Sequence, residues 1–178
     1  GNPVHRFQYQ KKFVNFDIKP GDKVLDVGSG ADPFPLATHL MDLFPEKTSH
    51  RAGSIVNEGR EFIKGDIEHI PFADSEFDFV YCSHVLEHVS APAKACRELM
   101  RVGRRGYIET PTRMSDIMLN FAKIPNHHRW HLNKVGNRLI FMEYQPYEQR
   151  DTGTEEFFHM INAKYENRMK TLFDKNRD

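Results

Sequence analysis

Cysteine is scarce in this chain, and so are tryptophan, charge of either sign in excess, and long apolar runs. Only Cys82 and Cys96 are present. Their spacing fits no metal pair and gives no disulfide framework, so two reduced thiols among apolar residues are the expectation. Lysine plus arginine number 25 and aspartate plus glutamate number 25, for a formal net charge of zero. No long-range field pulls such a chain toward phosphate backbones or anionic lipid, which counts against nucleic-acid substrates. No apolar run approaches the roughly 18 residues of a membrane span, and no leader-like segment opens the sequence. A cytoplasmic setting is the resulting expectation, with no membrane span.

What is there suits one globular core. A chain of 178 residues buries roughly two-thirds or more of its unfolded surface. No repeat, low-complexity stretch or linker interrupts it, so one domain over residues 1–178 is expected. Within it, 1–19 would be a cover segment and 20–110 a cofactor-binding core. Residues 111–178 would form the substrate side and a C-terminal helix.

The order of signals predicts an α/β chain. Lys23 to Val27 is a short apolar run entered from Pro20-Gly21 and left through Gly28-Ser29-Gly30, which reads as a buried parallel strand. Further strands are predicted at His39–Leu43, Glu61–Asp66, Phe77–Cys82 and Gly106–Thr110. Ser90 reads as an N-cap with Pro92 in the first turn, opening a helix through Ala95, Leu99 and Val102 to Gly103. Trp130–Leu132 and Leu139–Met142 flank Lys134–Asn137, a hairpin signal. From Glu155 onward, Phe158, Ile161, Tyr165, Met169 and Leu172 repeat at helical spacing. The fold class is a Rossmann-like, doubly wound, mostly parallel sheet with a terminal antiparallel hairpin at a mixed edge.

Such sheets bind ligands beyond the carboxyl ends of their strands. The first strand delivers Asp26, Gly28, Ser29 and Gly30 to that rim, the glycines allowing a tight turn and close backbone approach. The second delivers Asp42, whose carboxylate suits two ribose hydroxyls. The third brings Asp66 for an adenine amino group and Ile67 to cover the ring. The fourth ends in Ser83 and His84, where the reacting end of a cofactor would lie. Each acidic residue also has a bland reading: Asp26 capping a loop, Asp66 opening the turn to Pro71, Asp42 merely solvated.

The runs Val24-Leu25-Asp26-Val27-Gly28-Ser29-Gly30, Gly65-Asp66-Ile67-Glu68-His69-Ile70-Pro71-Phe72, Phe77-Asp78-Phe79-Val80 and His84-Val85-Leu86-Glu87-His88-Val89 together resemble the class I S-adenosylmethionine-dependent methyltransferases. The likeness is to the broad branch that acts on small molecules, and it covers about residues 20 to 110. Arg97 to Val102 and Gly106 to Ile108 also fit that family. The resemblance implies S-adenosyl-L-methionine as cofactor. Asp26 and Gly28 would face its methionine portion and Gly30 its ribose, with Asp42 on the ribose hydroxyls. Asp66 and Ile67 would take the adenine, and Ser83 and His84 would lie near the sulfonium.

One segment departs from that pattern. Ala31-Asp32-Pro33-Phe34-Pro35-Leu36 stands where the family has a third glycine and a full helix, and proline breaks helix interiors. Only twelve positions separate Gly30 from Asp42, so the first crossover helix is expected to be shortened or absent. His39 and Leu43 are the alternative rim neighbours. A dinucleotide site needs that helix's N-terminus for its pyrophosphate. S-adenosylmethionine carries no phosphate, so the departure counts against an NAD or nucleotide-sugar enzyme.

Methyl transfer is an in-line displacement in which alignment supplies much of the rate, and a base is needed only if the acceptor must lose a proton. His84 and Glu109 are the catalytic candidates on the core. His127 and His131 join them from Asn126-His127-His128-Arg129-Trp130-His131. If that stretch is extended, His127, Arg129 and His131 share one face, and His128 and Trp130 the other. A zinc reading has no cysteine partner, so no metal is expected. Between Val4 and Phe16, aromatic residues alternate with Arg6, Lys11 and Lys12, a segment placed to cover the cofactor, with Arg6 toward its carboxylate. The expected function is methyl transfer to a small-molecule acceptor by a monomer or homodimer. A catalytically inactive cofactor-binding module acting through a partner is the alternative.

Overall fold

The computed structural model describes residues 3–44, 59–118 and 127–145. The predicted helix after Glu155 lies outside these residues, as does Asn126. The chain forms two compact units, residues 1–110 and 111–178.

The first unit is a five-stranded, wholly parallel sheet. Its strands are β1 (Val24–Val27), β2 (His39–Asp42), β3 (Glu61–Lys64), β4 (Phe79–Ser83) and β5 (Gly106–Glu109). They lie in the order β3-β2-β1-β4-β5. Asp26 aligns with Leu40 on one side and Tyr81 on the other, and Ser83 aligns with Glu109. The strand order reverses between β1 and β4, so the carboxyl ends of these two strands flank the crevice where such sheets bind ligands.

The connection from β1 to β2 holds turns and no helix, as Pro33 and Pro35 dictate. A sheet face without its crossover helix still has to be covered. Phe16, Val24, Phe34, Ala37, Leu40, Phe79 and Tyr81 form a buried cluster there, with Phe7, Val14, Ile18 and Tyr107 packed against it. Phe34 comes from the helix-less loop, and Phe7 and Phe16 from the N-terminal segment. The rings interlock, with centroids of Phe16 and Phe34 5.1 Å apart and those of Phe7 and Phe34 5.6 Å apart. Aromatic bulk thus replaces a helix.

Part of that segment is itself helical, α1 (Pro3–Gln10), an element absent from the sequence reading. Eight residues give too few turns for a clear periodic signal, and so short a helix forms only with tertiary support. Arg105 anchors the segment beyond it, donating from Nη1 to the Phe16 carbonyl at 2.6 Å.

On the opposite face, α2 (Pro92–Val102) buries Ala95, Leu99 and Val102, the positions the spacing predicts. Its cap is a correction. The N-cap residue is Ala91, with no side-chain cap, and Ser90 does not fill that role. The Glu68 carboxylate accepts instead from the backbone N–H groups of Ser90 and Ala91, at 3.1 and 2.8 Å. A distant acid supplies what a local hydroxyl was expected to give. The helix closes at Gly103, where a Cβ would stand 2.5 Å from Val80 Cγ2, so only glycine lets α2 end this close to β4.

The second unit contains α3 (Arg113–Met118) and the antiparallel hairpin β6 (Trp130–Val135) and β7 (Arg138–Glu143). The hairpin is predicted correctly, but it makes a separate two-stranded sheet and not a mixed edge of the large one. Among the described residues no helix is long and apolar enough to cross a membrane.

Candidate functional site

The carboxyl ends of the five parallel strands of the first unit share one rim. At the end of β1, Gly28 adopts φ +77, and a Cβ there would lie 2.2 Å from Val85 Cγ2. Backbone freedom and space therefore both require glycine. Gly30 also has positive φ, and its N–H donates to Asp42 Oδ2 at 3.0 Å. This bond closes the short β1–β2 connection and places Asp42, not His39 or Leu43, at the rim. Asp42 Oδ1 accepts from the Phe44 N–H at 2.9 Å.

Asp26 lies within β1 and is buried, its Oδ2 accepting from the Phe34 N–H at 2.7 Å. The loop-capping reading of this residue is thus realised in the structure. Burial pushes its carboxyl up from 3.8 to about 7, against the lowering effect of the Phe34 bond. Ser29 is buried, and its hydroxyl has no hydrogen-bond partner among the described residues. An orphaned buried hydroxyl beside a glycine turn is a place where a ligand's polar atom would be satisfied. Asp66 follows β3 in a turn, with Oδ1 accepting from the Glu68 N–H at 2.8 Å. Ile67 beside it is buried.

The densest network lies where β4 and β5 end. His84 has φ +57, a left-handed conformation costly for a residue with a Cβ and often found at functional sites. Its backbone N–H donates to the Glu109 carbonyl at 2.9 Å. Its ring stands between two acids: Nε2 is 3.3 Å from Glu109 Oε1, and Nδ1 is 3.3 Å from Glu87 Oε1. Glu109 first, then Glu87, raise the imidazole from 6.5 to about 9. In return the His84 ring is the main cause holding Glu109 down at about 2, assisted by Tyr107 and Gln10. Tyr107 Oη and Gln10 Nε2 donate to Glu109 Oε2 at 2.5 and 3.0 Å, and Ser83 Oγ donates to Oε1 at 3.4 Å.

The structure therefore gathers Asp26, Gly28, Ser29, Gly30, Asp42, Ser83, His84 and Glu109 on the strand ends of the first unit. Glu87, Tyr107 and Gln10 are members of this network that sequence reasoning missed. The spacing of His84 and Glu87, three apart, carried a usable hint for Glu87. Gln10 had none, since it reaches Glu109 from the N-terminal helix. Arg6 of the same helix pairs with Asp32 at 3.1 Å.

His127, His128 and His131 belong to the second unit. There Asp116, fully buried, accepts from Tyr144 Oη at 2.7 Å and pairs with His128 Nδ1 at 2.8 Å. His127 stacks on His128 with centroids 4.5 Å apart, and His131 packs on Tyr144 at 4.9 Å. His128 and His131 are both buried, which the expected alternation did not allow. The strand begins only at Trp130, so the period of two does not extend back to His128.

The rim's chemistry fits a particular ligand type. Its side chains are mostly acidic, and the helix N-terminus that would receive a pyrophosphate is missing. The Asp42 carboxylate at the end of β2, the orphaned Ser29 hydroxyl and the acids around His84 suit a nucleoside bearing positive charge and no phosphate.

A family model described as a methyltransferase domain matches residues 25–108. A demethylmenaquinone methyltransferase of Renibacterium salmoninarum is 37% identical over 92 residues, which cover 49% of this chain and 39% of that enzyme. The sterol 24-C-methyltransferase erg6 of Schizosaccharomyces pombe is 31% identical over 101 residues, 50% of this chain and 27% of that protein. The chain thus spans well under half the length of these relatives. Among solved structures, the YcgJ protein of Bacillus subtilis shares the fold, with a TM-score of 0.50 and 18% identity. That match covers 87% of this chain and 82% of the other.

Proposed function

We propose that the chain is a class I S-adenosylmethionine-dependent methyltransferase, built on the methyltransferase domain matched over residues 25–108, and that it transfers a methyl group to a small-molecule acceptor. Asp42 holds the ribose hydroxyls, and the Gly28–Gly30 backbone, with the Ser29 hydroxyl, receives the methionine portion. Asp66 takes the adenine amino group, with Ile67 behind it. Ser83, His84 and Glu109 stand at the transfer end. The cofactor, when bound, supplies an electrophilic methyl on a sulfonium. This chain's residues orient it and keep the surroundings acidic, which favours a cation over an anion. The observation that carries the reading is the Gly30 N–H to Asp42 bond. It holds the Asp42 carboxylate at the end of β2 despite the lost helix, which supports a role on the ribose hydroxyls. A small-molecule acceptor accords with demethylmenaquinone and the sterol in the relatives' names.

Calorimetric titration with S-adenosylhomocysteine tests this. Binding by the wild type that Asp42→Ala and Asp66→Ala each abolish supports the reading. Failure of the folded wild type to bind overturns it. Binding without transfer to any quinol, sterol or amine acceptor would favour the inactive module.

A further inference from the structure

Glu87 is 1% exposed, and neither of its carboxylate oxygens has a hydrogen bond among the described residues. A buried carboxylate requires a compensating cation, because desolvation of the charge is costly. Two imidazoles of its own turn flank it, His84 Nδ1 at 3.3 Å and His88 Nε2 at 3.9 Å. The His84 ring is the closer, and its far nitrogen faces a second acid, Glu109.

Resting on the methyltransferase reading, we infer that Glu87 is a positioning residue which, with Glu109, holds His84 protonated on both ring nitrogens, so that the site takes an acceptor able to attack without surrendering a proton. Such acceptors are neutral amines and electron-rich carbon–carbon double bonds. A hydroxyl that must be deprotonated for attack is excluded.

An imidazole with a proton on each nitrogen has no lone pair with which to accept another. Glu109 is a poor base, since His84, Tyr107 and Gln10 all stabilise its ionised form. The two groups best placed to act as base thus disable one another. The groups facing the ring are Glu87 beyond β4, Glu109 on β5 and, opposing them, Arg6 on α1. Glu87 and Glu109 against His84 leave one net negative charge, and Arg6 is paired with Asp32.

In the transfer step the acceptor's electron pair forms the new bond to the methyl carbon. The carbon–sulfur bond breaks, and its pair returns to sulfur. Positive charge passes from sulfur to the acceptor, as an ammonium or a carbocation, and any proton leaves afterwards to solvent. A net-negative rim stabilises that cation.

The test is nitrogen-15 NMR of the histidine rings, with the His84 signal assigned by His84→Gln. The expected result for the wild type is an imidazolium at pH 7.5, free and with S-adenosylhomocysteine bound. Glu87→Gln should lower the His84 titration midpoint by about one pH unit or more, with the histidines that do not flank Glu87 unmoved. A purely structural role for Glu87 would not move it selectively. A neutral wild-type ring at pH 7.5 overturns the inference even if Glu87→Gln fails to fold, and so does an unmoved midpoint in a folded variant. Calorimetry on the same sample separates the two readings. Cofactor binding with a neutral His84 overturns this inference alone, whereas a charged His84 without cofactor binding overturns the methyltransferase reading and the acceptor class with it.

Discussion

Phe34 lies flat on Tyr81, with ring centroids 4.1 Å apart and planes 6° from parallel. One ring comes from the loop that replaces a crossover helix, the other from the interior strand β4. This stack joins the β1–β2 loop to the sheet within the buried aromatic cluster.

Phe34→Ala should therefore cost about 3–5 kcal/mol, the range for deleting a buried aromatic ring. Urea unfolding reads that loss directly. Phe34→Leu, which keeps most of the volume, should recover a large part of it. Equal stability of Phe34→Ala and wild type would mean the loop is not held by this stack.

Asp26 makes stability depend on pH in an unusual direction for an acid. Its folded value, about 7, lies above the ordinary 3.8 because the carboxyl is buried. A raised carboxyl contributes stability that is present below pH 4 and lost as pH rises through 7. Three units correspond to about 4 kcal/mol as an upper figure. The melting temperature of the wild type should fall from pH 6 to pH 8, and Asp26→Asn should flatten that slope. A parallel slope in both proteins would assign the effect to other groups.

At Gly28 two constraints coincide, a positive φ and a side chain of Val85 in the space a Cβ would occupy. Gly28→Ala is expected to destabilise by more than about 1 kcal/mol and to weaken S-adenosylhomocysteine binding. Adding Val85→Ala should relieve the steric part and leave the conformational part. Thermal melts of the single and double variants separate the two contributions.

In the second unit, Tyr144→Phe removes the donor on Asp116 Oδ2 while leaving His128 on Oδ1. A buried acceptor stripped of its partner costs about 1–3 kcal/mol. Hydrogen exchange should show faster opening of the β6–β7 hairpin with the five-stranded sheet unchanged. Uniformly unaltered exchange would make the Tyr144 bond dispensable.

The sequence itself determined the parallel sheet, because short apolar runs of β-branched and aromatic residues punctuated by glycine and proline admit few other arrangements. It determined the loss of the first crossover helix, since Pro33 and Pro35 act locally on their own backbone. It also placed Asp42, Asp66, Ser83 and His84 at or just beyond strand ends, because the end of an apolar run is visible in one dimension. Tertiary structure alone decided what covers the face that helix would have covered, since Phe7, Phe16 and Phe34 meet only when distant segments fold together. It decided that Glu68 and not Ser90 serves the start of α2, a bond spanning more than twenty residues. It decided the state of His84 as well. A histidine's charge is set by the acids that surround it in space, and Glu109 and Glu87 reach its two nitrogens from different parts of the chain.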